Sequence, residues 1–216
     1  MTCLRSSTLF CPALFAACLV PGALHSQTLP PLPLKGTYQI LDTPGCGSLS
    51  PESINNKGVI SGSCVNHGLV RDPSGTFTTF DVPGADSTDA ALINEAGTVV
   101  GRYIAANTVH GFLRTPDGAI TTFDAPGALN TVPLQMNDLG TVTGYYETPG
   151  PHGFVRFPDG RFATIDVPGS PYIRPQGINN RNVVVGYYWD SADNEHSFLW
   201  TQSTGLINVC SARSKH

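Results

Sequence analysis

Charge is scarce in this chain. Lys and Arg number 12 and Asp and Glu 16 among 216 residues, 13% together, about half the usual share. Acids exceed bases and no basic patch stands out, which argues against a nucleic-acid partner and against anionic membrane surfaces. A sustained 3.6-residue period is also missing, because Gly or Pro interrupts every candidate helix. The longest apolar stretch, Leu9 to Val20, contains Pro12 and is too short to span a bilayer stably. Gly-x-Ser-x-Gly, paired Glu, His-Glu-x-x-His and CxxC spacings are all absent, so the usual signatures of a hydrolase or a zinc site are not there. Gly 23 and Pro 18 are plentiful instead, and 40% of residues are hydrophobic. That combination is rich in turns but too apolar for disorder.

Residues 1–26 read as a secretory leader. Arg5 supplies the positive n-region, Leu9–Val20 the apolar h-region, and small residues at Ala23 and Ser26 a cleavage site near Ser26. The alternative is "FAAC", residues 15–18, which resembles a lipoprotein processing site and would place a lipid anchor on Cys18. Either reading sends the protein out of the cytoplasm, to the periplasm, cell surface or medium. Residues 27–36 form a Pro-rich linker, 37–210 the main domain and 211–216 a tail. Beyond the leader three of the six cysteines remain, Cys46, Cys64 and Cys210. In an oxidising compartment that suggests one disulfide and one spare thiol.

The domain is a repeat. "NHGLVRDPSGTFTTFDVPGAD" from Asn66, "VHGFLRTPDGAITTFDAPGAL" from Val109, "PHGFVRFPDGRFATIDVPGSP" from Pro151 and "EHSFLWTQSTGLINV" from Glu195 align on His67, His110, His152 and His196. A second motif runs in phase: "SINNKGVISGS", "LINEAGTVVGR", "QMNDLGTVTGY" and "GINNRNVVVGY" make Asn55, Asn94, Asn137 and Asn179 equivalent, and likewise Gly62, Gly101, Gly144 and Gly186. Each unit of about 43 residues parses into four short strands rich in β-branched and aromatic residues. They are separated by "NxxG" and "PDG" turns and a Pro-Gly exit. A single meander has two apolar faces and can cover neither alone, whereas stacking meanders around an axis covers both. The expected fold is therefore all-β, a β-propeller of about four four-stranded blades. An extra N-terminal strand is expected at "TYQILD", residues 37–42. It either reinforces the closing blade or begins a fifth that another chain completes. Cys46 follows this first strand and Cys210 the last, so a Cys46–Cys210 bridge is favoured over Cys46–Cys64.

The "H-[GS]-F-[LV]" and "IN-x-x-G-x-[VI]-x-G" pair resembles the bacterial extracellular HAF repeats, with Gly or Ser in place of the middle Ala. The resemblance covers about residues 37–209. It implies secretion and a propeller-like fold and no known activity.

The histidines and aspartates look at first like acid–base or cation chemistry. The hairpins suggest otherwise. If Asp117 centres its "PDG" turn, His110 sits opposite Asp124. About Asp159, His152 faces Asp166, and about Ser74, His67 faces Asp81. Cross-strand neighbours lie about 5 Å apart at Cβ, so a pair copied into three blades reads as a structural latch, not a catalytic dyad. The same register sets Gly111 against Phe123, whose ring covers the missing side chain. The repeated asparagines read as caps of their own turns, with a channel lining as the alternative. Arg71, Arg114 and Arg156 read as rim or inter-blade contacts.

A meander sends alternate turns to opposite rims. One rim carries the uniform "NxxG" and "PDG" turns. The other carries the exits and the second-to-third-strand loops, "SCVN", "IAANT", "ETPGP" and "WDSADNE", which differ in every blade. Variable loops on a uniform scaffold are where recognition sits. Tyr103, Tyr146, Tyr172, Arg174, Tyr188, Trp189 and Asp190 on that rim are the candidate ligand-binding residues. Asp190, Asp193 and Glu195 make a weak calcium alternative without the Asp-x-Asp-x-Asp-Gly spacing; no other cofactor is expected. The chain thus reads as a secreted binding or scaffold module for a glycan or a cell-envelope protein, with no catalytic residue assigned. An extracellular propeller hydrolase or lyase acting on polysaccharide is the alternative.

Overall fold

A computed structural model describes Leu41 and residues 45–209. All sixteen described elements are strands. Leu49–Ile54 (β1), Ile60–Cys64 (β2), His67–Arg71 (β3) and Phe77–Phe80 (β4) form blade 1, and Ser87–Ile93 (β5), Val99–Ala105 (β6), Thr108–Arg114 (β7) and Ile120–Phe123 (β8) form blade 2. Blade 3 holds Asn130–Met136 (β9), Val142–Thr148 (β10), Gly150–Arg156 (β11) and Phe162–Ile165 (β12), and blade 4 holds Tyr172–Ile178 (β13), Val184–Trp189 (β14), Glu195–Thr201 (β15) and Gly205–Val209 (β16). Each blade is a four-stranded antiparallel meander, and together they make the propeller architecture. The strand expected at residues 37–42 falls outside the described residues save Leu41, which is in no strand.

Local chemistry dictates each turn. Gly97 and Gly140 close their "NxxG" turns at φ +84° and +80°, a conformation that costs glycine nothing. Blade 4 has Asn182 there at φ 58°, and asparagine tolerates the left-handed region better than other side chains. In all four blades the strand before the turn is bulged against its partner, for example at Thr143/Gly144. The bulge swings a backbone carbonyl over the next strand, so a Cβ on Gly144 would fall 2.1 Å from the Val132 oxygen. This close approach, and not a turn, is why the motif ends in glycine.

Three apolar seams join the blades. Ala90, Ile93, Val99 and Phe112 of blade 2 pack on Val59, Val70 and Phe80 of blade 1. Val142, Tyr146 and Phe154 meet Val100 and Phe123. Ile173, Val184, Tyr188, Phe198 and Trp200 meet Val155, Phe157 and Ile165. Aromatic edges cross the seams, with Phe80–Phe112 centroids 5.9 Å and Phe123–Phe154 centroids 6.5 Å apart. Arg114 and Arg156 lie over Phe80 and Phe123 of the preceding blade, each 4.8 Å from the ring centroid, whereas Arg71 lies over Phe77 of its own blade. Among the described residues no such seam joins blade 4 to blade 1, and Ile54, Val185 and Ile207 on their outward faces are 64%, 47% and 49% exposed. Among the described residues the four blades thus form an open arc.

A polar ladder runs along the "NxxG" rim. Asn55, Asn94 and Asn137 each do two jobs. The Oδ1 accepts N–H groups of the residue's own turn, as at Asn137 from Leu139 at 3.1 Å and Thr141 at 2.9 Å. The Nδ2 donates to the next blade: Asn55 to the Asn94 carbonyl at 3.1 Å, Asn94 to Asn137 at 3.4 Å, and Asn137 to Asn179 at 2.9 Å. The neighbouring residues repeat the step, Asn56 N–H to Glu95, Glu95 N–H to Asp138, and Asp138 N–H to Asn180. Asn180 donates back to Asp138, and that bond, followed by the Glu95 N–H, holds the Asp138 carboxyl below its ordinary value.

Candidate functional site

The repeated histidines are consumed by the scaffold. His67 Nδ1 lies 2.9 Å from Asp81, His110 Nδ1 2.9 Å from Asp124 and His152 Nδ1 2.5 Å from Asp166. The other side of the ring is covered: Tyr103, Tyr146 and Tyr188 stack on His110, His152 and His196 with centroids 5.0, 5.1 and 5.0 Å apart. Tyr146 and Tyr188 are buried in this stack, so these two candidates are corrected from ligand contacts to core. Alternation along β10 and β14 turns them into the seam, a consequence of facing that a loop-proximity argument does not resolve. We expect the double-mutant cycle of His110→Ala and Asp124→Ala, read by chemical denaturation, to give a coupling of about 1 kcal/mol. Additive losses would leave the contact without energetic weight.

Blade 1 has Cys64 where the other blades have the stacking tyrosine, and it is joined to Cys46 with Cα atoms 5.6 Å apart. The expected Cys46–Cys210 bridge is thereby corrected to Cys46–Cys64. Cys210 itself lies outside the described residues. The reason is local. The Val65 N–H donates to the Ser48 carbonyl at 3.0 Å, and this bond folds the chain after Cys46 alongside the end of β2.

Non-repeated residues converge at the inner edge of the arc. The first strands of successive blades lie side by side, so they line its concave side. One ladder position there changes in every blade: Ser50 pairs with Ser63, Asp89 with Arg102, Val132 with Tyr145 and Arg174 with Tyr187. Arg102 Nε and Nη2 both stand 3.1 Å from Asp89 Oδ2, and Ser63 of the preceding blade donates to Asp89 Oδ1 at 2.5 Å. With Glu52, Tyr103 and Tyr145 these groups border a groove of about 510 Å³.

Blade 4 contributes an aromatic group at the same end. Tyr172 lies 5.9 Å from Tyr187 and 5.5 Å from Trp189 between centroids, and Trp189 is 41% exposed. Arg174 Nη1 donates to the Tyr172 hydroxyl at 3.3 Å. Burial alone would push the Tyr172 phenol up, but the hydrogen bonds with Arg174 and Tyr187 outweigh it and the net direction is down. Tyr172 and Tyr145 also line a second hollow of about 400 Å³ with Leu129, Glu147, Pro149 and Pro171. Tyr172, Arg174 and Trp189 are therefore brought together, and Tyr103 lies on the far side of the groove.

Asp190 belongs to its own loop. Its carboxylate accepts His196 Nε2 at 2.9 Å and the N–H groups of Ala192 and Asn194 at 2.8 and 2.9 Å. His196 first, then Asn194, holds it well below the usual carboxylate range. Among the described residues no three His, Cys, Asp or Glu side chains come together as a metal site.

The blades are those of a propeller already seen in lyases. A streptogramin B lyase matches at TM-score 0.53 and 15% identity over 76% of this chain and 55% of its own. A virginiamycin B lyase from Staphylococcus aureus matches at TM-score 0.52 and 14% identity, over 76% and 56%. A catalytically inactive form of that lyase with quinupristin matches at TM-score 0.51 and 12% identity, over 82% and 74%. This chain thus spans little more than half the length of the first two. No family model and no curated protein matches. At such identity the likeness is one of fold.

The groove went unread in the sequence, although a signal was there. The residue after each repeated glycine is Ser63, Arg102, Tyr145 and Tyr187. A position that changes inside an otherwise regular motif marks where the scaffold is free to specialise.

Proposed function

We propose that this protein is a secreted, non-catalytic binding module of the HAF-repeat type, taking an extracellular glycan along the inner edge of its arc. The observation that carries this reading is the convergence of unlike groups at one ladder position of a uniform scaffold. Sugar rings need flat apolar surface for their C–H faces and hydrogen-bonding groups for their edges. Tyr172 with Trp189 offers the first and Asp89, Arg102 and Glu52 the second. Against catalysis stand the partners already taken. Asp89 is held by Ser63 and Arg102, and the four repeated histidines are held by aspartates.

Calorimetric titration with soluble bacterial polysaccharides and cell-wall glycan fragments tests this. We expect saturable binding, unchanged by EDTA because Asp190 is engaged within its loop. Trp189→Ala should weaken it at least ~10-fold, equivalent to about 1.4 kcal/mol. Binding indifferent to Trp189→Ala and Tyr172→Ala, or capture of an envelope protein with no glycan bound, would overturn the reading. Appearance of new chain ends in the polysaccharide would replace it with a propeller lyase or hydrolase.

A further inference from the structure

The hollow between blades 3 and 4 is built from departures from the repeat. Glu147 stands where blades 1, 2 and 4 carry Val65, Ile104 and Trp189, three exposed apolar side chains. Leu129 and Pro171 stand where blade 1 has Asp86. The space is about 400 Å³, and Tyr172 belongs both to its lining and to the aromatic pair with Trp189. A sugar ring stacked on that pair has the hollow beside it.

Its lining groups are held in place. Asn130 Oδ1 accepts the Val109 N–H of blade 2 at 2.9 Å, which turns its Nδ2 to donate to Glu147 Oε2 at 2.8 Å. The Leu129 N–H donates to the Glu147 carbonyl at 2.7 Å, so an exposed apolar side chain adjoins a carboxylate. A carboxylate offers about four lone-pair sites, and Asn130 occupies one. From blade 4 come Pro171 and Tyr172, next to Ser170, whose hydroxyl is 2.7 Å from the Trp189 carbonyl at the end of β14. Pro149 adds a rigid ring. Burial alone would raise the Tyr172 phenol, but the bonds with Arg174 and Tyr187 lower it on balance. Its oxygen accepts Arg174 Nη1–H at 3.3 Å, so its own O–H donates with the polarisation of the cation behind it.

An acceptor, an apolar surface and a polarised donor thus border one hollow. An acetamido group needs all three: the acceptor for its N–H, the apolar surface for its methyl and the donor for its carbonyl. We infer, on the glycan reading above, that the hollow takes the acetamido group of an N-acetylated amino sugar whose ring lies on Tyr172 and Trp189. A hydroxyl in that place would leave the apolar wall facing water. An ammonium group would meet Glu147, but it would also meet the Arg174 charge behind Tyr172 and bring no methyl to Leu129 and Pro171.

Oligosaccharides of chitin, chitosan and cellulose share one backbone and differ in a single substituent per ring: acetamido, amine or hydroxyl. Calorimetric titration of the full chain with matched lengths of each tests the inference. We expect the chitin oligomer to bind at least ~10-fold more tightly than the other two. Glu147→Ala and Tyr172→Phe should each bring that preference down to ~2-fold or less. Glu147 is exposed and Phe keeps the ring, so both variants should retain the far-ultraviolet circular dichroism of the wild type. Equal affinity for the chitin and cellulose oligomers overturns the assignment, as does a preference that survives both substitutions. Tightest binding of the chitosan oligomer overturns it in favour of a cation site, and binding of another polysaccharide without the chitin oligomer overturns it outright. Equal affinities that fall together in Trp189→Ala would leave the glycan reading standing, whereas no binding to any saccharide removes both.

Discussion

Gly144→Ala should lower the unfolding free energy by about 3 kcal/mol or more. Two effects act together. The new Cβ would sit 2.1 Å from the Val132 carbonyl oxygen and 2.9 Å from both Pro133 Cα and Phe154 Cε1. The first two are backbone atoms of the bulged neighbouring strand and cannot rotate away. The third is a ring buried in the seam between blades 2 and 3, so relief on that side would push Phe154 into Phe123. Gly150 is the control: it lies in the same blade with nothing within 4 Å of a Cβ, so Gly150→Ala should stay within about 0.5 kcal/mol of wild type. Urea unfolding followed by circular dichroism measures both. If Gly144→Ala falls in the same range as Gly150→Ala, the bulge yields more readily than a packed sheet should, and the repeated glycine needs another explanation.

What could be read from the chain follows the range over which its chemistry acts. The hairpin pairs His110–Asp124 and Gly111–Phe123 follow from one turn centre, because register within an antiparallel pair is arithmetic on residue numbers. The four meanders follow in the same way from turn residues a few positions apart. The asparagine ladder does not. That Asn137 Oδ1 caps its own turn is local, but that Nδ2 reaches the Asn179 carbonyl depends on how one blade is rotated against the next, which no spacing within a repeat records. Facing explains the tyrosines. Tyr145 and Tyr146 are adjacent, and their placement on opposite sides of β10 sends one to the groove and the other into the His152 stack. The disulfide is the third case. Cys46 follows the expected first strand and Cys210 the last, which suggested a staple, whereas the observed bridge depends on a single backbone bond, Val65 to Ser48, that closes a loop within blade 1.

Asn137→Ala should cost about 3 kcal/mol, and Asn179→Ala only about 1. Both side chains cap their turns in the same way, Asn137 for Leu139 and Thr141, Asn179 for Arg181 and Val183 at 2.9 and 3.0 Å. The difference lies across the seam. Asn137 also donates at 2.9 Å to the Asn179 carbonyl and at 2.9 Å to Asn182 Oδ1, and it is buried. Removing it strands the N–H of buried Thr141 and strips two acceptors of blade 4 at once, and an unsatisfied buried group costs more than its bond contributed. Asn179 is exposed, so water replaces what alanine removes. Asn137→Asp refines the comparison: the carboxylate keeps the turn cap but presents an acceptor to the Asn179 carbonyl, so it should recover little of the loss. Equal costs for Asn137→Ala and Asn179→Ala would mean that the asparagines only shape turns and that the apolar seams alone hold the blades together.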